Sequence, residues 1–496
     1  RRVLFRSKTN VGGAAFRGCT KLPSVTLGND STIVSDNAFA GCASLKEVVI
    51  GAKLMSFGTN AFKECTGLEA VRISDLAAWC RIDFYGSNSN PLYFAQHLYL
   101  GGEELTDVVI PDNVTSLKEW VFRGWKEMRT ITIPSSVTSI AFSMPYPRAL
   151  SGCENLETVF LNSDAIASSS NSLIYLFGEQ VKKFVLGEGV KELGVGAFYR
   201  YKGLEAIELP NTLTTIGNSA FSGCSGLTTM DIPSNVTTIG TDAFYNCTSL
   251  ESIKITSPAL KILANFNSCT ALNAVHITNL ADWCNIDFGN VYPLSYSGYW
   301  AYTMNPLYKA RHLYLNGEPI SELVIPEGIT DIKSNVFAGC LDITSITIPE
   351  GVKSIGRFAF CDCNNVEVLN IASTVDSIGV NAFYWSDYLA TISNPAYAIH
   401  DVYCYAETPP AFVPRYGSMP LAKDGTLHVH KSAIDAYITA YYWQNFRDRI
   451  VAIEDEVGVK EITTQMPTGN EDDIYGIDGM QVPAWQIGRA SCRERV

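Results

Sequence analysis

Apolar residues recur along this chain with a period of 23. Phe16, Phe39 and Phe62 show it, as do Phe198, Phe221 and Phe244, and again Phe337, Phe360 and Phe383. The clearest unit, 232–255, reads IPSNVTTIGTDAFYNCTSLESIKI, and its closing L-x-x-I-x-I pattern occurs in 15 copies from Leu22 to Leu389. A fixed period of this size predicts a solenoid, because one unit cannot bury its apolar face without a stacked neighbour. Within the unit, Ile253 and Ile255 alternate with polar residues, which predicts a short strand with one face inward. Pro233, lacking an N–H, ends the preceding strand. Val236 to Ile239 form a second short extended segment, and Gly240 permits the turn after it. Ala243 and Phe244 then point into a core where successive Phe rings stack at roughly 4.8 Å. The expected fold is an α/β repeat solenoid of about 15 coils, on the order of 70 Å long at that spacing. Its repeat core includes Phe221, Cys224, Leu227, Phe244, Cys247, Leu250, Phe360 and Cys363.

The motif I-P-x-x-V-T-x-I-G-x-x-A-F-x-x-C-x-x-L recurs nearly verbatim between residue 11 and about 455. In this the chain resembles the BspA-like class of leucine-rich-repeat proteins, known mainly as surface proteins of Bacteroidetes and some mucosal protists. The resemblance implies a leucine-rich-repeat array with short parallel strands, displayed outside the cell, with adhesion to host or bacterial surfaces as its role.

Two interruptions break the period, and they are copies of one another. VRISDLAAWCRIDF at 71–84 matches VHITNLADWCNIDF at 275–288, and NPLYFAQHLYLGGEEL matches NPLYKARHLYLNGEPI. Leu76, Trp79 and Cys80 share a helical face, so a short helix replaces the usual turn. HLYL, Asn316-Gly317 and the following ELVI read as a hairpin, since Asn-Gly suits a two-residue type I′ turn. The insert reads either as a packing cassette or as a modular functional unit. The second copy carries 11 more residues between its Trp and His than the first, and they are aromatic: Tyr292, Tyr296, Tyr299, Trp300 and Tyr302, mixed with Ser, Gly and Asn. Rigid amphipathic rings among adaptable polar residues suit ligand recognition, and the same rings could instead fold over the neighbouring helix and bury themselves.

Nine cysteines sit three residues before the repeat leucine, once per coil. Such a column lacks the His or paired-Cys spacing of a metal site and reads as a ladder of small buried hydrophobes, with neighbouring rungs close enough for a disulfide to remain an open option. Cys361 and Cys363 stand too close together for a relaxed bridge. No catalytic, metal or cofactor motif stands out. His97 and His312 occupy matching insert positions, and His428 and His430 flank Val429 on one strand face without a third ligand nearby. Ser432 followed by Asp435 predicts the N-cap of a helix that runs to about Trp443 and is bounded by extended LHVH and IVAI, resembling the closing segment of the family's arrays.

The ends and the charge complete the picture. RRVLFRS at 1–7 and IGRASCRERV at 487–496 resemble translated adapter oligonucleotides of short-read DNA sequencing, which leaves a fragment open at both ends. The expected organisation is a solenoid over 8–395 with inserts at 74–104 and 278–319, a cap over 396–455, and a linker with a truncated sorting or anchoring tail over 456–486, whose DIYGIDGMQV reads as a hairpin. The whole chain carries 37 Lys and Arg against 50 Asp and Glu; removing the six basic and one acidic residue of the two strings leaves 31 against 49, or −18. Such acidity argues against nucleic acid as a partner, and no apolar run approaches the roughly 18 residues a membrane span needs. The sequence thus points to a non-enzymatic surface or secreted binding protein, with a host or bacterial protein or glycan as partner. Its rivals are a structural spacer and a glycan-binding accessory of a polysaccharide-utilisation system. An uncapped coil near Val11 would favour self-association.

Overall fold

The structure, a computed structural model, describes residues 3–5, 10–27, 32–143, 146–147, 149–258, 260–262, 266, 268–288, 304–384, 399–413, 419 and 421–453. Residues 1–451 form one compact unit, which holds the repeat array, and 452–496 form a second.

Each regular coil contributes one strand to a wide parallel sheet and one to a narrow one. On the wide face Thr229–Ile232, Ser252–Ile255 and Ala274–Ile277 pair in register, with Met230 opposite Ile253 and Ile253 opposite Val275. The expected alternation is present: Ile253 and Ile255 are buried while Lys254 is exposed. Pro233 directly follows Ile232, where the wide strand ends. On the narrow face Thr215–Ile216, Thr238–Ile239 and Lys261–Ile262 make a second parallel ladder.

Phenylalanines stack on the third side. Phe198, Phe221 and Phe244 are fully buried, with centroids 5.2 and 5.5 Å apart and rings within 6° of parallel. That is wider than the strand spacing, as offset stacking requires. The cysteine column packs beside them. Cys247 donates its thiol to the Phe221 carbonyl of the previous coil at 3.1 Å, and that carbonyl also accepts the Cys224 backbone N–H at 3.0 Å. The same thiol bond is made by Cys42, Cys65, Cys153, Cys224, Cys269 and Cys363. All thirteen described cysteines are free thiols, so the column works through burial and a weak directional bond rather than through disulfides.

Three sequence expectations need correction. The turn after Gly240 is present at 241–246, but the glycine is needed there for a reason other than positive φ. A side chain there would strike the neighbouring coil, 2.6 Å from the Asn218 nitrogen, so its role is close coil-to-coil approach. The left-handed residues lie elsewhere, at the position before Ala-Phe, as in Asp242 at φ 54° and Ser219 at φ 53°. The hairpin turn at Asn316-Gly317 holds, both residues with positive φ, but its return arm is only Glu318–Pro319. Glu322–Val324 belongs instead to the next coil and pairs in parallel with Ser345–Ile348, because its buried Leu323 must face the core. Finally, His430 rather than Ser432 caps the C-terminal helical segment, accepting the Ser432 N–H on its ring nitrogen. A 3₁₀ turn at Lys431–Ala433 leads into an α-helix that ends at Thr439, not Trp443. The flanking strands Leu421–His430 and Ile450–Ile453 are as expected. The Leu389 copy and the DIYGIDGMQV segment lie outside the described residues.

Candidate ligand-binding surface

The wide sheet turns two residues of each strand outward, and these form columns along the array. In-register parallel strands hold equivalent side chains about 4.8 Å apart, so flat groups stack face to face. The Arg72 guanidinium lies 4.4 Å over the Tyr99 ring. His276 stacks on Tyr314 at 5.0 Å, and Tyr403 on His428 at 4.2 Å. One ring face in each pair is therefore turned to a neighbouring rung. Acidic partners hold two of the pairs in place: Glu47 bonds Arg72 at 2.5 Å and Asp401 bonds the His428 imidazole at 2.8 Å.

Between these pairs runs an apolar stretch. Val109, Thr132, Phe160 and Val185 occupy one outward column on four consecutive rungs. Val109 is 65% and Phe160 39% exposed, although both sit on strands whose other face is core. Glu208 follows in the same column, and in the next sheet the outward Asp231 and Lys254 stand opposite one another.

Both inserts fold alike, as their shared sequence demands. Leu76–Cys80 and Leu280–Asn285 are the expected helices, capped by the side chains of Asp75 and Asn279. A second helical turn follows in each, Leu92–Ala95 and Leu307–Ala310. In a regular coil the backbone N–H of a Phe reaches the carbonyl of the Ala before the next Phe, as Phe221 reaches Ala243 at 2.8 Å. At the inserts two side chains take over that task. The Val121 carbonyl accepts the Trp79 indole N–H and an Asn90 amide N–H, both at 3.1 Å. In the second copy the Val336 carbonyl accepts Trp283 at 3.0 Å and Asn305 at 2.9 Å. Each Asn also accepts the N–H that opens its helical turn, from Leu92 and Leu307, at 2.8 Å. Sequence reasoning does not single out these two asparagines, although their presence in both N-P-L-Y copies is the available signal.

The paired histidines differ in detail. His97 bonds Glu104 of its own hairpin at 2.5 Å, whereas the second copy has Pro319 in place of that Glu and His312 bonds Asp342 at 2.8 Å. His428 and His430 separate into the sheet pair and the helix cap. Among the described residues no group of three or more His, Cys, Asp or Glu side chains is placed to hold a metal ion. Burial pushes the thiols of Cys65, Cys80, Cys153, Cys269, Cys284 and Cys340 up from 9.0 to about 12, so they are held as neutral thiols. Tyr292, Tyr296, Tyr299, Trp300 and Tyr302 lie outside the described residues. Their loop is framed by Phe288, buried against Trp283 at 5.2 Å, and by buried Asn305. At the N-terminal end Val3–Phe5 adds a rung to Ser24–Leu27, with Val3 opposite Val25.

Two parallel ladders joined by a phenylalanine column, repeated every 23 residues, define a leucine-rich-repeat solenoid. The chain belongs to the BspA-type leucine-rich-repeat family, whose description, BspA type Leucine rich repeat region (6 copies), matches residues 3–99, 93–200, 174–291 and 311–407. No curated protein matches. Among solved structures, a leucine-rich repeat protein from Bacteroides ovatus is 18% identical over 90% of this chain and 87% of that one, with a TM-score of 0.29. One from Eubacterium ventriosum is 20% identical over 75% and 86%, with a TM-score of 0.27. A leucine rich cell surface protein from Faecalibacterium prausnitzii is 23% identical over 59% and 91%, with a TM-score of 0.23. Among the described residues no helix is long and apolar enough to cross a membrane.

Proposed function

We propose that this chain is a non-enzymatic, cell-surface or secreted binding protein that engages a partner through the outward columns of its wide sheet. The observation that supports this reading is the outward column of exposed Val109 and Phe160 with half-buried Thr132 and Val185, flanked by ionic and ring pairs. Cross-strand pairing of Phe160 with Val185 steadies the sheet but leaves apolar surface in water, and apolar centres with polar rims mark protein-binding surfaces. A protein partner fits this face better than a glycan, because stacking on a sugar needs free ring faces and each of the three ring pairs turns one face to its neighbour. The glycan reading rests on the aromatic loop, and the spacer reading on the array alone.

An array of glycans and matrix proteins, probed with the wild-type chain, Phe160→Lys, and the double variant Tyr299→Ala/Trp300→Ala, separates the three. Protein capture lost with Phe160→Lys, at an unchanged melting temperature, supports the proposed reading. Glycan-only capture lost with the loop variant replaces it with the accessory role, and capture of neither class leaves the spacer role. A large drop in melting temperature for the loop variant would assign those rings to packing.

A further inference from the structure

The two ladders do not have equal numbers of rungs. After each insert the wide sheet gains a strand, Leu98–Leu100 in the first copy and Leu313–Leu315 in the second. Neither is followed by a narrow-face strand before the next wide strand begins. The narrow ladder is therefore one rung short at each insert. In the first copy Asp83–Phe84 pairs backward with Ser56–Phe57, and Ser116–Leu117 pairs forward with Ser139–Ile140. Among the described residues no backbone hydrogen bond joins Asp83–Phe84 to Ser116–Leu117.

A cleft of about 390 Å³ opens there, with Phe84, Leu117, Ile140 and Ala141 among its apolar residues, the last two from the following coil, and Asp83, Ser116 and Lys118 among its polar ones. The Thr115 and Leu117 carbonyls accept N–H groups from the following coil. Strand alternation then turns the N–H groups of Ser116 and Lys118 the opposite way, into the gap. We propose that this cleft is a strand-addition site that takes a short extended segment of a protein partner as the missing rung. A guest strand needs two rung spacings, roughly 10 Å, between its neighbours, and would occupy the place where the narrow ladder omits a member. The guest continues the ladder that already joins every regular coil, and main-chain bonds supply its affinity. Its chemistry follows from the neighbouring rungs: an apolar residue inward against Phe84 and Leu117, polar residues outward beside Asp83 and Lys118, which bond each other at 3.2 Å. That alternation is the pattern of the array's own narrow strands. The site lies on the opposite ladder from the wide-sheet surface and stands or falls independently of it.

The test uses the full chain and a fluorescein-labelled synthetic peptide copying Val236–Thr241, VTTIGT. Fluorescence anisotropy should give saturable binding with a Kd on the order of 0.1–1 mM, since such a contact is far below the roughly 1,200 Å² of a stable interface. Backbone N-methylation of the peptide should weaken binding at least tenfold. Ala141→Trp, which fills the cleft, and Ser116→Pro, which removes a donor, should each do the same at an unchanged melting temperature. No saturable binding, equal binding of the N-methylated peptide, or full binding by the Ala141→Trp chain would overturn the proposal. Should Ser116→Pro fail to fold, the Ala141→Trp chain decides alone.

Discussion

The regular coils between Phe198 and Cys269 and the two inserts solve one problem differently. In the regular coils three couplings bind neighbour to neighbour: the backbone rungs, the Phe rings and the thiol-to-carbonyl bond. Backbone coupling is indifferent to side-chain identity, so the outward strand positions are free to vary. At the inserts the coil changes shape, and the carbonyls of Val121 and Val336 are satisfied by a Trp and an Asn instead. A joint made by side chains tolerates no substitution of those side chains. That is why the two inserts repeat W-C and N-P-L-Y to the letter while the strand faces of ordinary coils do not.

The largest effect expected of this contrast lies in the ring column. Phe221→Ala removes a fully buried ring that stacks on both neighbours, and it should cost about 3–5 kcal/mol. Because each coil touches only its neighbours, the loss should also divide the array, so that urea unfolding monitored by circular dichroism broadens or splits. A loss under about 1 kcal/mol with a single sharp transition would show that the rings fill space without coupling the coils.

Side-chain joints rank next. Asn305→Ala leaves the buried Leu307 N–H without its acceptor and takes one of two donors from the Asn335 carbonyl, which keeps the Ala338 N–H, at about 1–3 kcal/mol for the group left unpaired. Asn90→Ala should match it, since the first copy makes the same bonds. Trp283 and Asn305 share one carbonyl, so Trp283→Phe combined with Asn305→Ala should deviate from additivity by roughly 0.5–1.5 kcal/mol. Additive losses, or single losses within about 0.5 kcal/mol of zero, would break the comparison and leave the insert as ordinary packing.

How much of the molecule is legible in its sequence depends on whether a feature repeats. The Phe and Cys columns are readable because every coil restates them, and the insert helix is readable because Leu76, Trp79 and Cys80 have helical spacing. Gly240 misleads because a sequence shows turn propensity but not the Asn218 backbone pressed against it from another coil. The return of Glu322–Val324 to the array is hidden because Asn-Gly marks a turn without fixing the length of its arms, and the buried Leu323 decides the matter. The unequal rung count has no local signature at all. It emerges only when the strands of both ladders are aligned coil against coil.

The smallest and most local effect is in the thiols, and it bears directly on which joint is weaker. Raised folded-state pKa values mean that the fold favours the neutral thiol, so this contribution to stability is complete below pH 9 and declines as pH climbs from 9.0 towards about 12. Urea midpoints should therefore fall progressively above pH 9, and a midpoint that holds steady to pH 11 would contradict the burial of the column. At pH 8, below that window, labelling by a thiol reagent followed by peptide mass mapping reports local opening instead. Exposed Cys19 should react at once. A stack opens first where fewest couplings hold it, and Cys224 and Cys247 each add a thiol-to-carbonyl bond to the neighbouring coil, whereas the insert thiols Cys80 and Cys284 are held by burial. The insert thiols should accordingly label ahead of the stack thiols, by several-fold in rate. The reverse order would make the side-chain joint the stronger of the two, with the inserts acting as clamps that hold the regular coils between them.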